Sequence, residues 1–345
     1  DVVTGENLGA LIEGSSTNLF LNSESVNLWY NQYSSIETNA ALAPDNTLSA
    51  DKITDTSEIQ EHFVESVTIN QINGTFTASA YVKRNVGDTI QFRIVHVGQA
   101  PNTSSVIYYY DTDTFSSAEG VIDSVKSQKI NNGWVKISVT YTIDNAVTYH
   151  RVRFHTISGT VAGTGTSAYI WGAQCEALPF ATSYIRTEGS AVSRSSDNLN
   201  IDGNSSIPEG GQDLTVSIDV SMNDAYNHQS YSKLFRLDGQ PLYMQSYATG
   251  VNNWMVYTNG LSLQLEPNIS SGVTHSFTTT YTPSKIAAYF NSVETDTTTT
   301  FAPLIYNRNS TLSLGASGSS QHIDGHISKF STYAQALTAQ EITLL

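Results

Sequence analysis

Alternation of apolar and polar residues at every second position constrains this chain more than any other feature. In Thr75-Phe76-Thr77-Ala78-Ser79-Ala80-Tyr81-Val82, the apolar Phe76, Ala78, Ala80 and Val82 alternate with polar residues or tyrosine. Ile90, Phe92 and Ile94 repeat the pattern, as do Val135, Ile137, Val139, Tyr141 and Ile143. Val152 and Phe154 alternate with Arg151, Arg153 and His155. Successive side chains of a strand point to opposite faces, so each segment reads as a strand with one dry and one wet face. Turn signals at Asn73-Gly74, Val86-Gly87-Asp88 and Asn131-Asn132-Gly133 separate them. Short strands at this spacing predict a sandwich or barrel. Charged residues are only 14% of the chain, and Ser, Thr, Asn and Gln, poor helix formers, take their place. A helical bundle or coiled coil is excluded.

A second alternating series starts at Leu214, Val216, Ile218 and Val220, and continues through Phe277–Tyr281, Ile286–Phe290 and Leu312–Gly315. Between the series, residues 186–197 are small, polar and poorly periodic, which marks a boundary. The predicted fold is all-β: two tandem antiparallel β-sandwich (jelly-roll) domains. Residues 1–16 read as a lead or connector, 17–187 as the first sandwich, 188–200 as a linker and 201–345 as the second sandwich. One helix is expected, at the end, where Thr338-Ala339-Gln340-Glu341 fits a capping box.

With 16 basic and 31 acidic residues the net charge is −15, which disfavours a phosphate backbone or an anionic lipid surface as partner for the chain as a whole. No nucleic acid is expected. No apolar run approaches the roughly 18–20 residues of a membrane-spanning helix, so no membrane insertion is expected. The one cysteine, Cys175, permits no internal disulfide. The first residue is Asp1 rather than Met, which suggests a processed chain or a piece of a longer one.

Three stretches resemble a known family: residues 9–24 (Gly9-Ala10-Leu11-Ile12-Glu13-Gly14 onward), Asn132-Gly133-Trp134-Val135-Lys136-Ile137-Ser138-Val139, and Tyr169-Ile170-Trp171-Gly172-Ala173-Gln174-Cys175-Glu176 with Phe180–Ile185. In this order they are similar to the carbohydrate-binding-module-like jelly roll of bacteriophage tail and other virion proteins, over roughly residues 9–197. Leu312-Ser313-Leu314-Gly315-Ala316, Ile323-Asp324-Gly325-His326-Ile327 and residues 333–342 resemble a laminin-G or concanavalin-like jelly roll, over roughly 198–345. The resemblance implies a non-enzymatic virion surface protein, a tail fibre, spike or capsid fibre, that adheres to host surface polysaccharide. It also implies other virion proteins as partners and a homo-oligomer, with a trimer favoured. A decoration protein without sugar binding is the alternative, as is a secreted bacterial lectin or an accessory module of a polysaccharide-degrading enzyme.

Sugar rings stack their C–H faces on aromatic side chains and pair their hydroxyls with placed polar groups. Three aromatic groups are candidates: Trp29 and Tyr30 with Tyr33; Tyr108, Tyr109 and Tyr110; and Tyr247, Trp254 and Tyr257 with Tyr243. All of these could equally fill sandwich cores, and Trp134 and Trp171 are assigned to the core. Arg151, Arg153 and His155 share one strand face, with Arg93 on a neighbouring strand. Such a row suits an acidic sugar, because a guanidinium fork pairs two carboxylate oxygens, or it pairs internally with Asp or Glu across the sheet. No catalytic residue is assigned. The laminarinase-type Glu-x-Asp-x-x-Glu string is absent, and Glu294 and Asp296 lack a third acid. His322 and His326 read as polar residues flanking a turn. Related jelly rolls often hold a structural Ca²⁺, and Glu24 matches an acid of that site, but its usual partner is missing. No metal or cofactor is assigned.

Overall fold

The computed structural model describes residues 7–98, 102–144, 146–201, 207–222, 232–237, 242–246, 254–258, 261–265, 269–270, 272–301, 304, 311–315 and 322–345. Tyr247 lies outside the described residues. The chain is nearly all-β, with antiparallel sheets and one short helix at its end. It divides into two compact units: Ser16–Arg194, and Ser195–Leu345 together with the segment that ends at Ser15.

In the unit Ser16–Arg194, one six-stranded sheet runs in the order Ser124–Lys129, Trp134–Ile143, Gly74–Val86, Ser167–Glu176, Leu48–Asp55, Ser34–Leu42. The other runs Thr114–Glu119, Thr103–Tyr109, Thr89–Val97, Tyr149–His155, Phe63–Glu65, Tyr30–Gln32. The alternating residues face inward: Phe76, Ala78, Ala80, Val82, Ile90, Phe92, Ile94, Ile137, Val139, Tyr141, Val152 and Phe154 are all buried in one core. Trp134 and Trp171 are buried in a smaller cluster with Ala43 and Ala50. Their indole N–H groups donate to the Leu42 carbonyl (3.1 Å) and the Ser49 hydroxyl (2.9 Å), as buried tryptophans require.

A chain of neutral hydrogen bonds crosses this core. The Tyr141 hydroxyl lies 3.1 Å from His150 Nδ1 and 3.5 Å from the Cys175 thiol. His150 Nε2 lies 3.0 Å from the Gln71 carbonyl oxygen, which can only accept. His150 therefore carries its proton on Nε2 and accepts from Tyr141 at Nδ1. Burial pushes its pKa down to about 4 and the Cys175 thiol up to about 12.

The other unit has sheets ordered Ala10–Ile12, Gly325–Tyr333, Leu214–Met222, Thr274–Thr282, Lys285–Phe290, Val293–Thr298, and Leu199–Ile201, Leu312–Leu314, Lys233–Leu237, Leu242–Ser246, Trp254–Thr258, Leu261–Leu265. Val216, Ile218, Val220, Phe277, Ile286 and Leu314 fill its core. Residues 10–12, expected in a connector, form an edge strand here: Leu11 opposes His326, and Ile12 is buried in this core. Apolar Ile12 gains more from that core than from a solvated lead. The final helix, Ala339–Ile342, has the expected capping box between Thr338 and Glu341. Among the described residues no helix is long and apolar enough to cross a membrane.

Candidate functional site

The candidate site lies on the outer face of the sheet that contains Tyr149–His155. Strand register aligns one row of side chains across all six strands: Tyr30, Glu65, Arg153, Arg93, Ser105 and Glu119. Two like charges, Arg153 and Arg93, sit directly opposite each other, which is unfavourable unless carboxylates intervene. Three do. Glu65 Oε2 accepts from Arg153 Nε at 2.5 Å, and Oε1 from Arg151 at 2.9 Å. Glu61 pairs with both Arg93 (2.5 Å) and Arg153 (3.4 Å), and Glu119 with Arg93 (3.4 Å). Three guanidiniums and three carboxylates leave the cluster neutral.

Of the two readings of Arg151 and Arg153, the structure shows the internal pairing: both guanidiniums bond to internal acids. Glu65 has a side chain only 4% exposed, so its two oxygens are committed to these arginines. Arg153 also lies over the Phe63 ring, 4.0 Å from its centroid, and Arg151 over Tyr149 at 5.0 Å. Both guanidiniums are held on two sides. His155 does not join the row at the surface. It is buried against Phe63, neither ring nitrogen has a hydrogen-bond partner among the described residues, and burial followed by the nearby Arg93 and Arg153 charges drives its pKa well below 6.5.

Beside this network a groove of about 500 Å³ is lined by Tyr30, Gln32, Thr68 and the Arg151–Glu65–Arg153 wall. Tyr30 is 60% exposed, with its ring 6.1 Å from Phe63. Thr68 accepts from Arg151 Nε at 3.1 Å. The result is an open aromatic ring next to fixed donors and acceptors.

The other aromatic candidates behave differently. Trp29 is buried between Phe20 and Phe154, its N–H donating to the Asn22 carbonyl at 3.0 Å. Tyr108 is buried in the core and donates to Asp113 at 2.9 Å. Tyr110 packs edge-on against Tyr108 and is only partly exposed. Tyr109, between them, points outward. In the other unit Trp254 is buried against Phe277, and Tyr257 stacks on Tyr243 at 4.8 Å. Trp29, Tyr108 and Trp254 are therefore core residues, because each gains more from apolar burial than from exposure.

Glu294 accepts from the Tyr289 hydroxyl, and Asp296 accepts from the Gln264 and Thr297 amides, so both carboxylates hold structure. Glu24 accepts from the Tyr184 hydroxyl at 3.0 Å and pairs with Arg186. His322 is buried before the last strand, with Nε2 3.2 Å from the Asp197 carbonyl. Among the described residues, no three His, Cys, Asp or Glu side chains gather as a metal site. Sequence reasoning missed Glu61 and Glu65 as the arginines' partners. The usable signal was Glu65 alternating with Val64 in an otherwise apolar strand.

The described residues form antiparallel β-sandwich units. Residues 193–343 match the family described as the concanavalin A-like lectin/glucanases superfamily (laminin G type), so this unit is a concanavalin-like jelly roll. No curated protein sequence matches the chain. Among solved structures, domain 4 of a GH43 extracellular arabinanase from Geobacillus stearothermophilus, in complex with arabinotriose, is 17% identical. That match covers 42% of this chain and 70% of that one, with a TM-score of 0.34. A putative carbohydrate-binding protein from Bacteroides ovatus is 9% identical over 83% of this chain and 80% of that one, with a TM-score of 0.36. Domains LG4-5 of the mouse laminin α1 chain are 9% identical over 96% of each chain, with a TM-score of 0.26.

Proposed function

We propose that the protein is a non-enzymatic adhesin whose groove beside Tyr30 binds a neutral saccharide. One observation carries this reading: an exposed tyrosine ring borders a groove of sugar size whose polar wall is a charge-neutral, pre-paired Arg–Glu network. Fixed donors and acceptors cost little reorganisation when hydroxyls arrive. Neutrality of the cluster, with a chain charge of −15, favours an uncharged sugar over a uronic or sialic acid. Display on a virion surface, as a trimer among other virion proteins, would raise a weak single-site affinity through multivalency. The same groove would serve a secreted lectin or an accessory module. Binding to a neutral-glycan array tests the reading. Tyr30→Ala should weaken binding about tenfold or more without shifting thermal unfolding, and unchanged binding refutes it.

The burial of Trp29, Tyr108 and Trp254 favours a second reading, an architectural decoration protein that binds no sugar. That reading requires a blank array together with labelling of intact particles by an antibody against the chain.

A further inference from the structure

The unit Ser16–Arg194 carries a second concavity, also of about 500 Å³, at the end of the same sheet, two rows of side chains beyond Tyr30. It forms where the turn before Thr89–Val97 meets the hairpin after Thr103–Tyr109 and the segment that follows His155. Gly87 makes the turn possible. Its φ is +100°, and a Cβ there would lie 2.4 Å from the Thr166 side chain, so only glycine lets the wall close.

Four features of this pocket point to a ligand. Tyr109 is 37% exposed at its rim, and its hydroxyl accepts from Ser116 at 3.2 Å, which steadies the ring. Arg84 donates to one oxygen of Asp88 and to one of Asp111, the latter at 2.5 Å. The second oxygen of each carboxylate has no hydrogen bond among the described residues, so two oriented acceptors stay open. Thr156, 2% exposed, also lines the pocket, and its buried hydroxyl has no hydrogen-bond partner among the described residues. A buried hydroxyl left unpaired costs stability that a ligand hydroxyl would restore.

We propose that this end pocket is a second saccharide-binding site for a neutral sugar. The inference extends the saccharide reading of the groove and rests on it for the ligand class. The sugar's C–H face lies on Tyr109, vicinal hydroxyls donate to the open oxygens of Asp88 and Asp111, and a further hydroxyl reaches Thr156. One guanidinium between two carboxylates leaves a negative balance, which turns away anionic sugars. From strand spacing and rise, this pocket and the Tyr30 groove stand about 20 Å apart on one sheet face. One chain would therefore grip a glycan at two points, with the affinity gain of an intramolecular second contact.

The test measures the stoichiometry of the full chain by calorimetry and ligand-observed NMR. The probes are cellotetraose, xylotetraose, mannotetraose, laminaritetraose and arabinotetraose. The expected result is two tetrasaccharide sites for at least one probe. Tyr109→Ala or Asp111→Asn should weaken one site about tenfold and leave the other untouched. Thr156→Val, which keeps the side-chain shape, should weaken the same site. A single site, lost in Tyr30→Ala and unaffected by Tyr109→Ala, overturns the end pocket and leaves the groove standing. A single site lost only in Tyr109→Ala upholds the end pocket and removes the groove. No binding of any probe overturns both.

Discussion

Acidification should destabilise the Ser16–Arg194 unit through its buried histidines. His150 is 0% exposed and is committed to the neutral form by two contacts: it accepts from Tyr141 at Nδ1 and donates to the Gln71 carbonyl from Nε2. A second proton would set an N–H against the Tyr141 hydroxyl hydrogen. The folded pKa is about 4, against 6.5 for the free side chain. Between those values the unfolded chain holds the proton and the folded chain does not, so stability falls as pH drops from 6.5 towards 4. The loss from this residue is about 3 kcal/mol, at about 1.4 kcal/mol per pH unit per proton. His155 is lowered in the same direction by burial and then by the Arg93 and Arg153 charges, and His96 is lowered by burial, so both steepen the same loss on acidification.

His62 works in a different window. Burial opposes its charge, but its ring nitrogens face the carbonyl oxygens of Tyr33 (2.6 Å), Glu58 and Val161 (3.0 Å each), and its pKa is raised overall. Its contribution is complete below 6.5 and fades as pH rises through the raised folded value, so stability should peak close to pH 6.5. The assay is urea unfolding at pH 7.5, 6.5, 5.5 and 5.0, followed by tryptophan fluorescence, since Trp29, Trp134 and Trp171 all lie in this unit. His150→Gln can still accept from Tyr141 and donate to Gln71 but cannot titrate, so it should cut the acid slope by about one proton, or about 1.4 kcal/mol per pH unit. An identical slope in this variant and the natural chain would refute the assignment of His150 as a buried neutral group.

Cys175, with its thiol pushed up to about 12 and fully buried, should resist a disulfide-exchange reagent in the native protein and react once unfolded; prompt native reaction contradicts its burial. Glu65→Gln removes the charge shared by Arg151 and Arg153, and should cost about 2 kcal/mol in chemical unfolding, less than a fully buried pair because both guanidiniums are partly exposed. A change below about 0.5 kcal/mol would show that Glu61 alone suffices. Gly172→Ala should lower the melting temperature by several degrees, because φ is +61° there and the new Cβ would meet the Tyr81 ring at 3.0 Å.

Much of the fold was legible because alternation reports strand parity directly. Phe76 through Val82 and Val135 through Ile143 turn their apolar members into the core as expected, and Thr338 with Glu341 caps the last helix. Less of the site was legible. Parity says that Tyr108 and Tyr109 face opposite ways, but not which of them looks outward, since that depends on which sheet covers the strand. It also cannot pair Arg153 with Glu65, which are 88 positions apart in sequence and meet only through strand register. Ala10–Ile12 is too short to show a period, and its partner strand lies at the far end of the chain.

That early strand has a practical consequence for anyone dividing the protein. The unit Ser16–Arg194 is an insertion, spliced into its neighbour after the neighbour's first strand. A gene fragment opening at residue 195 would lack Ile12, whose side chain fills the space over Gly315, and would expose the edge of Gly325–Tyr333. The points where the insertion starts and stops are directly opposed, since Ser16 faces Arg194 across an antiparallel pair. Glu13 and Asp197 are bonded to each other just outside it. Joining residue 14 to residue 196 through a short glycine-rich link should therefore excise the insertion and leave its host intact. Separating the two at the visible seam alone would yield a host with an open side.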